Sequence, residues 1–200
     1  MNATASVIPA VGTSLEGGFF AGVVNINGEH FGIVVAPKEA GESAPKPWNK
    51  SAKAVAGAGS FFDGLANTEV MVAAGSALAK WARGLEIGGF ADWYLPARDE
   101  LELAYRAFKP TTEVNWCWRG DNPSSIPVGY AYQPNLPAQT TVAAFQSGGE
   151  HAFEVDWYWS STQSAGDEQC AWCQNFSYGG QYDFLKSIKL RARAVRRFRI

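Results

Sequence analysis

Alternating hydrophobic positions predict a β-hairpin near the N-terminus. The segment GGFFAGVVNINGEHFGIVVAPKEAGE contains two runs of β-branched and aromatic residues, which flank the pair Asn27-Gly28. An Asn-Gly pair between two such runs favours the type I′ turn of a hairpin. We therefore predict a hairpin over residues 17–36. The stretch rich in Pro, Ala and Gly that follows, residues 43–64, is predicted to be a connecting loop.

Helical spacing replaces strand alternation after this loop. In NTEVMVAAGSALAKWARGLEIGG, apolar residues recur at the spacing of one helix face, at Val70, Ala74, Leu78, Trp81 and Leu85. We predict a single helix here. It begins at a cap provided by Asn67 or Thr68 and ends at Gly88-Gly89.

A second, shorter helix is predicted in PARDELELAYRAFKP. Its apolar stripe is Leu101, Tyr105 and Phe108, and Pro110 follows it. The carboxylates of this helix are expected on its solvated face; they are Asp99, Glu100 and Glu102. Between the two helices, FADWYLP is predicted to be a short, buried, extended piece.

The rest of the chain combines long loops with short strands. Residues 110–155 show little periodicity and contain many Pro, Gly, Ser and Thr residues. Strands are then predicted in DWYWSST, CAWCQNFS and KLRARAVRRFRI. The order of hairpin, helices, loops and strands predicts an α+β fold. We expect one domain over residues 17–200, preceded by an N-terminal arm, residues 1–16.

Composition and charge exclude several classes of function. The chain has 200 residues, eight Trp and a formal net charge of −2, so binding of the whole chain to nucleic acid is not expected. No stretch approaches the roughly 18 apolar residues of a membrane span, and the N-terminus lacks the features of a secretory signal. We expect synthesis in the cytoplasm and no insertion into a membrane.

Catalytic and metal-binding patterns are weak. Cys170 and Cys173 form a CxxC, but no second pair stands at zinc-ribbon spacing, and Cys117 makes the count odd. Ser160 lies near His151 without the glycine pattern of a nucleophile elbow. We therefore predict no catalytic residue, no metal and no cofactor.

The basic C-terminus permits two interpretations. Its arginines alternate with Leu190, Ala192 and Ala194; they are Arg191, Arg193, Arg196, Arg197 and Arg199. This alternation is typical of a half-buried strand. The arginines could bind nucleic acid, but the overall acidity favours pairing with carboxylates of the same fold or of a neighbouring subunit.

The segment before it, residues 157–185, is rich in aromatic, Ser, Gly and Asn residues and has no Lys or Arg. This is the composition of a paratope, in which aromatic rings supply contact area and small polar residues supply adaptable hydrogen bonds. Trp157, Trp159 and Trp172 alternate with small or polar residues, which predicts core positions. The stretch from 177 to 188 shows no strand or helix period. We interpret it as a binding surface; burial in the core is the alternative.

Five separated motifs resemble one known family. They are GGFADWYLPARDELELAYRAFKP, NPSSIPVGYAY, YWSST, AWCQNFSYGGQ and KLRARAVRRF, in this order. Together they resemble the family of the C-terminal domain of the Legionella collagen-like adhesin, and within it the bacteriophage and prophage members. The resemblance spans about residues 17–200. It implies a C-type-lectin-like fold with two helices, a small and mostly antiparallel sheet, long loops and neighbouring terminal strands.

The resemblance also implies a variable ligand-binding face. Proteins of this fold serve as variable proteins of diversity-generating retroelements, in which adenines near the C-terminus are rewritten. Within about residues 164–188, the side chains that such rewritten codons permit are Cys170, Cys173, Asn175, Ser177, Tyr178, Gly180, Tyr182, Phe184, Leu185, Ser187 and Ile188. We predict these as ligand-binding residues. The interleaved Trp172, Gln174, Gln181, Lys186 and Lys189 are predicted to be scaffold.

The function implied is receptor binding without chemistry. The expected partners are a host cell-surface receptor (protein or glycan), other virion tail proteins, and further copies of the chain in a homo-oligomer, with a trimer as the first expectation. The expected location is a phage tail; a bacterial cell surface is the alternative. Two other functions stay open: a structural tail or fibre component that buries the same face, and an enzyme on a formylglycine-generating-type scaffold that uses Cys170 and Cys173.

Overall fold

The described chain forms ten strands and four α-helices. The computed structural model describes residues 8–116 and 121–200. Its strands are β1 (Ser14–Leu15), β2 (Gly18–Ile26), β3 (Glu29–Val35), β4 (Glu42–Pro47), β5 (Ser125–Ile126), β6 (Trp157–Gln163), β7 (Cys170–Asn175), β8 (Gln181–Leu185), β9 (Lys189–Arg193) and β10 (Val195–Arg199). Its helices are α1 (Lys38–Gly41), α2 (Gly64–Ala73), α3 (Ala77–Arg83) and α4 (Arg98–Phe108). The predicted α+β class is confirmed.

The first sheet is built on the predicted hairpin. Asn27 and Gly28 have φ of 54° and 88°, as the type I′ turn requires, and they join β2 to β3. The strand order is β1-β2-β3-β10, and β5 also pairs with β2. The C-terminal strand therefore lies against the N-terminal hairpin, as the resemblance implies.

The second sheet has the order β4-β9-β6-β7-β8. Its pairs are antiparallel except for β6 with β9, which are parallel. The first sheet packs against α4 around Leu101, Tyr105 and Phe108, the predicted apolar stripe. A second cluster around Trp159 joins β6 and β7 to α2 and α3.

The chain crosses between the two sheets twice at one place. It leaves the first sheet after β3 through α1 into β4, and it returns from β9 into β10 at Ala194. The Ala36 N–H donates to Ala194 O at 3.0 Å, and the Ala194 N–H donates to Gly41 O at 2.9 Å. Backbone hydrogen bonds therefore join the two crossings directly.

Glu42 and Arg193 form an ion pair beside these crossings, and neither has much exposed side-chain surface. Arg193 Nε and Nη2 donate to Glu42 Oε2 at 3.0 and 2.5 Å. Tyr158 OH donates to the same oxygen at 2.9 Å. The remaining guanidinium donors reach the carbonyls of Ala36, His151 and Ala152. The buried charges are therefore paired and hydrogen-bonded, which is the condition for tolerating them in an interior.

The single helix predicted after residue 67 is two helices. Gly75 has φ of 87°, and Ser76 starts α3 by accepting a hydrogen bond from the Ala79 N–H at 3.2 Å. The Ser76 hydroxyl also donates to Trp48 O at 2.6 Å, which ties the break to the core. The predicted ends are wrong as well, because Asp63 caps α2 and Gly84 follows α3.

The expectation that the α4 carboxylates face solvent is wrong. Glu100 is fully buried, and Asp99 and Glu102 are nearly so. Glu100 accepts hydrogen bonds from the N–H groups of Ala97 (2.7 Å) and Gly64 (3.2 Å) and from Tyr94 OH (2.8 Å). It therefore ties the start of α4 to the start of α2 and to the extended piece before α4. That piece is buried at residues 93–96, as predicted, but Ala91 and Asp92 are exposed.

The acidic side of α4 also holds the loops that follow it. Glu102 accepts from Asn122 Nδ2 at 2.7 Å and from Tyr132 OH at 2.6 Å. Asp99 accepts from the Ser124 hydroxyl at 2.6 Å. These bonds fix part of the long stretch from 110 to 155, in which the structure places only β5 and one short 3₁₀ turn (Ala143–Phe145) among the described residues.

Three strand predictions need correction. The loop predicted at 43–64 contains most of β4, an edge strand in which Pro45 and Pro47 hide the strand pattern. The terminal strand is divided at Ala194 into β9 and β10, which lie in different sheets. The stretch from 177 to 188, in which no strand was predicted because it shows no strand period, contains β8.

We predict that the pair Glu42–Arg193 is required for stability. Replacing Arg193 with Met leaves a buried carboxylate short of its main partner, so the free energy of unfolding should fall by about 3 kcal/mol in urea titrations. The matched control is Arg199→Met on the next strand. Its pair with Glu29 is mostly exposed, and the change should be about 0.5 kcal/mol. Equal effects of the two substitutions would contradict this account.

We also predict a pH dependence from Glu100. Burial raises the pKa of Glu100 from 4.5 to about 7, although the hydrogen bonds from Ala97 and Tyr94 oppose the shift. Between these values the folded chain holds a proton that the unfolded chain has lost, so stability falls as pH rises from 4.5 to 7. The Glu100 contribution is about 3 kcal/mol across this window. Glu100→Gln should remove that slope from the unfolding free energy; an unchanged slope would assign it to other groups.

Candidate ligand-binding surface

The predicted variable segment forms a hairpin at one end of the second sheet. β7 and β8 pair with Cys173 opposite Tyr182 and Ala171 opposite Phe184. Asn175 Oδ1 accepts from the Ser177 N–H at 2.8 Å and so shapes the turn between the strands. Gly179 in that turn has φ of 80°, and a Cβ there would lie 2.6 Å from the Tyr105 ring. The turn therefore seats tightly on α4.

Four aromatic rings gather on one side of this hairpin; we call them the aromatic surface, and they are Trp157, Tyr178, Tyr182 and Phe184. The Trp157 ring contacts the other three edge to face, with centroid distances of 6.1 Å to Tyr178, 5.7 Å to Tyr182 and 4.9 Å to Phe184. Tyr182 and Phe184 alternate on β8 and lie nearly parallel at 6.4 Å. Edge-to-face contacts of this kind hold the rings in defined positions.

Part of this surface is open to solvent. Tyr182 is 44% exposed, and the other three rings are partly exposed. Leu185 and Ile188 are also exposed, on and just after β8. Trp116 is 71% exposed, and its N–H donates to Tyr178 O at 2.9 Å, so its backbone lies beside the aromatic surface. Sequence reasoning did not assign Trp116 or Trp157 to the surface, since one lies in an aperiodic loop and the other alternates like a core strand.

The predicted ligand-binding residues divide into two groups. Those at least partly exposed are Cys170, Ser177, Tyr178, Tyr182, Phe184, Leu185, Ser187 and Ile188. Cys173, Asn175 and Gly180 are buried. Cys173 packs in the core cluster around Trp159, and Asn175 is used by the turn. These three positions support the hairpin from inside and present no surface to a ligand.

Two of the five predicted scaffold residues are buried. Gln174 and Lys186 are almost fully buried, and Lys186 Nζ donates to Gln163 Oε1 at 2.6 Å. Gln181 donates to Gln174 Oε1 at 3.3 Å. Lys189 is exposed. Trp172 is only partly buried, next to Phe61 and Arg98, whereas Trp159 is a core residue as predicted.

The two cysteines of the CxxC are not a thiol pair. Cys170 and Cys173 are free and lie three positions apart on β7, so their side chains point to opposite faces of the sheet. Cys173 contacts the Tyr182 carbonyl at 3.3 Å, and burial raises the pKa of its thiol. Burial and the nearby Asp167 also raise the pKa of Cys170. Both thiols are therefore held in the protonated, weakly nucleophilic form. Cys117 lies outside the described residues.

The rim of the hairpin is acidic. Asp167 and Glu168 precede β7 and are exposed, and Asp183 is exposed in the middle of β8. Asp183 Oδ2 accepts from the Ser164 hydroxyl at 2.6 Å. The Lys186 ammonium is buried nearby and donates to Lys53 O and Gln163 Oε1.

The C-terminal arginines pair with carboxylates of the same fold, as one of the two interpretations predicts. Arg191 and Arg193 reach Glu42, Arg196 reaches Asp92 and Glu16, Arg197 reaches Asp63, and Arg199 reaches Glu29. These pairs join the terminal strands to five different segments of the chain. The basic residues therefore form ion pairs within the fold.

Among residues 8–116 and 121–200, no group of three or more His, Cys, Asp and Glu side chains is placed to hold a metal ion. The helices of that same part of the chain include none that is long and apolar enough to span a membrane.

Comparison with known proteins identifies the family of the chain. No curated protein matches the chain. A protein-family model described as the Lcl C-terminal domain matches residues 47–196, three quarters of the chain. The match runs from β4 into β10 and includes the whole β7–β8 hairpin. The chain therefore belongs to the Lcl C-terminal domain family, the adhesin-type family that its five motifs resemble.

Proposed function

We propose that the chain is a receptor-binding domain and that the aromatic surface contacts the receptor. The observation that carries the proposal is the gathering of Trp157, Tyr178, Tyr182 and Phe184 at the partly exposed end of one hairpin. Clusters of exposed aromatic side chains are unusual on soluble proteins and are typical of binding sites. Membership in an adhesin-type family supports binding over catalysis.

The hairpin suits this role because its aromatic surface continues a buried cluster on the same face of the sheet, against which Trp157 and Phe184 pack. Trp159, Ala171 and Cys173 belong to a buried cluster, so the strands that carry the aromatic surface have a rigid support. A surface that is ordered before it binds loses less conformational entropy on binding. The domain then contributes recognition without chemistry. The separation of Cys170 from Cys173 argues against the enzyme alternative that uses them as a pair.

The finer form of the proposal is a variable protein of a phage tail with a C-type-lectin-like fold. It is supported by the permitted side chains, eight of which are at least partly exposed, while Gln174 and Lys186 between them are buried. A surface whose codons are rewritten requires that the variable side chains be exposed and that the constant ones be buried. Several copies on one virion would raise the effective concentration, so that modest single-site affinity suffices.

The proposal includes the domain limits and the partners expected from the sequence. We propose that residues 17–200 act as one domain, and that the N-terminal arm, residues 1–16, precedes it. Within the described part of that arm, β1 pairs with β2. The oligomer, the host receptor and the tail partners belong to the same proposal. A structural tail component would use the same aromatic surface against another virion protein, so binding to cells separates the two functions.

We predict that Tyr182→Ala, Phe184→Ala and Tyr178→Ala each weaken binding to intact cells of a responsive bacterial strain by about tenfold or more, as expected for aromatic anchors. The melting temperature of Tyr182→Ala should change by about 2 °C or less, because Tyr182 is half exposed. The assay is binding of labelled protein to a panel of bacterial strains and immobilised envelope glycans.

Tyr130→Ala is the matched control. Tyr130 is 50% exposed, like Tyr182, but its ring lies over Arg106 of α4, outside the aromatic surface. Its loss should leave cell binding unchanged. Unchanged binding by the three hairpin variants would overturn the proposal, and a large fall in their melting temperatures would identify those rings as core. Stable capture of a virion protein without any cell binding would favour the structural component.

A further inference from the structure

The outer edge of β8 is an open row of backbone hydrogen-bonding groups. The Asn175 N–H donates to Gly180 O, and the Lys186 N–H donates to Gln169 O, both at 2.9 Å. In an antiparallel pair, the backbone groups of alternate residues point toward the partner strand, so those of Tyr182 and Phe184 point toward β7. The N–H and C=O groups of Gln181, Asp183 and Leu185 point away from it. Among the described residues, β8 is the last strand of its sheet, and only the Leu185 carbonyl is used, by the Ile188 N–H.

Other edges of the two sheets are protected against pairing. β4 carries Pro45, Lys46 and Pro47 and has a break in its register with β9. β1 is only two residues long, and β10 carries three arginines. Short length, prolines, positive charges and bulges are the usual devices that prevent strand addition. β8 (QYDFL) has no Pro, Lys or Arg and pairs with β7 in continuous register.

Charge decides which kind of strand the edge accepts. Asp183 lies at the centre of the open row. Asp167 and Glu168 are exposed just before β7, whose first residue pairs with Leu185 at the end of β8. A second copy that paired antiparallel about Asp183 would set two carboxylates directly opposite each other, which is destabilising. A strand with Lys or Arg at that position would instead gain an ion pair.

We infer that β8 captures an extended, basic segment of a partner protein as an added strand. The inference rests on the proposed function and names the class of its ligand. Backbone groups of Gln181, Asp183 and Leu185 bond the segment, its basic side chains face Asp183, and apolar side chains on its other face contact Tyr182 and Phe184. Strand addition of this kind supplies affinity through the main chain and specificity through alternate side chains.

The test uses a synthetic peptide of alternating valine and lysine and the full-length, ¹⁵N-labelled protein. Amide hydrogen exchange is measured with and without the peptide. Binding should slow exchange of the outward amides of Gln181, Asp183 and Leu185, while the amides of Tyr182 and Phe184, already paired with β7, should change little. The same peptide with glutamate for lysine should bind at least about tenfold more weakly.

Two substitutions of Asp183 separate the contribution of its carboxylate to peptide binding from that of its backbone N–H. Asp183→Ala removes the carboxylate and keeps the N–H, so peptide binding should weaken about threefold. Asp183→Pro removes the outward N–H as well and should weaken binding about fivefold further. Pro is tolerated at this edge position because its N–H is not used by β7. The exchange experiment on the unsubstituted protein decides the question even if the Pro variant fails to fold.

Absence of peptide binding, binding without protection of the outward amides, or equal affinity of the Ala and Pro variants would overturn the inference. Cell binding that depends on Tyr182 but is unaffected by Asp183→Pro would also overturn it while leaving the proposed function intact, and it would point to a glycan ligand. Failure of the proposed function itself is read separately, from cell binding of the Tyr182, Phe184 and Tyr178 variants.

Discussion

Glu42 and Arg193 hold the place where the chain crosses twice between its two sheets. Without this pair, the carbonyls of Ala36, His151 and Ala152 would lose the guanidinium that joins them, and Tyr158 would lose an acceptor fixed in position. The interaction closes a contact between residues 151 positions apart, so it depends on nearly the whole chain being folded. A buried pair of this kind is costly to break, although an apolar replacement of both partners can be equally stable. Its value here is geometric, because it sets the second sheet relative to the first.

The position of the β7–β8 hairpin follows from that arrangement. β6 lies between β9 and β7, so the position of β9 at the crossing determines where β7 and β8 stand. Buried Trp159, Ala171 and Cys173 fill one side of these strands, and Tyr105 and Tyr132 contact the turn at Gly179. The fold needs these interior residues. It makes much less use of Ser177, Tyr182, Leu185, Ser187 and Ile188, whose side chains remain partly or largely exposed.

Local signals predicted the elements that depend on neighbouring residues. The Asn27-Gly28 turn, the α4 stripe and the pairing of the terminal arginines all follow from short-range pattern or from overall charge. The carboxylates of α4 were assigned wrongly because their partners, such as Tyr94, Asn122 and Tyr132, are brought to them only by tertiary structure. β8 was missed because neither of its faces is fully buried, which erases the alternation that identifies strands.

The same limit applies to the candidate site. Composition and the family resemblance located the segment, but they could not separate exposed Tyr182 from its buried neighbour Cys173. Trp157 was predicted as core from its alternation, whereas β8 at the end of the sheet leaves its ring partly open beside Tyr182. Burial at the last strand of a sheet depends on what covers that strand, which no local pattern encodes.

We propose that one hairpin carries exchangeable side chains on a fixed scaffold. Deep sequencing of codons 164–188 in an expanded clonal population of the source that encodes the chain tests this proposal most directly. The account predicts adenine-derived variation at exposed positions such as Ser177, Tyr178, Tyr182, Leu185 and Ile188, and none at buried Cys173, Gln174 and Lys186. A uniform segment, or variation spread equally over exposed and buried codons, would contradict it.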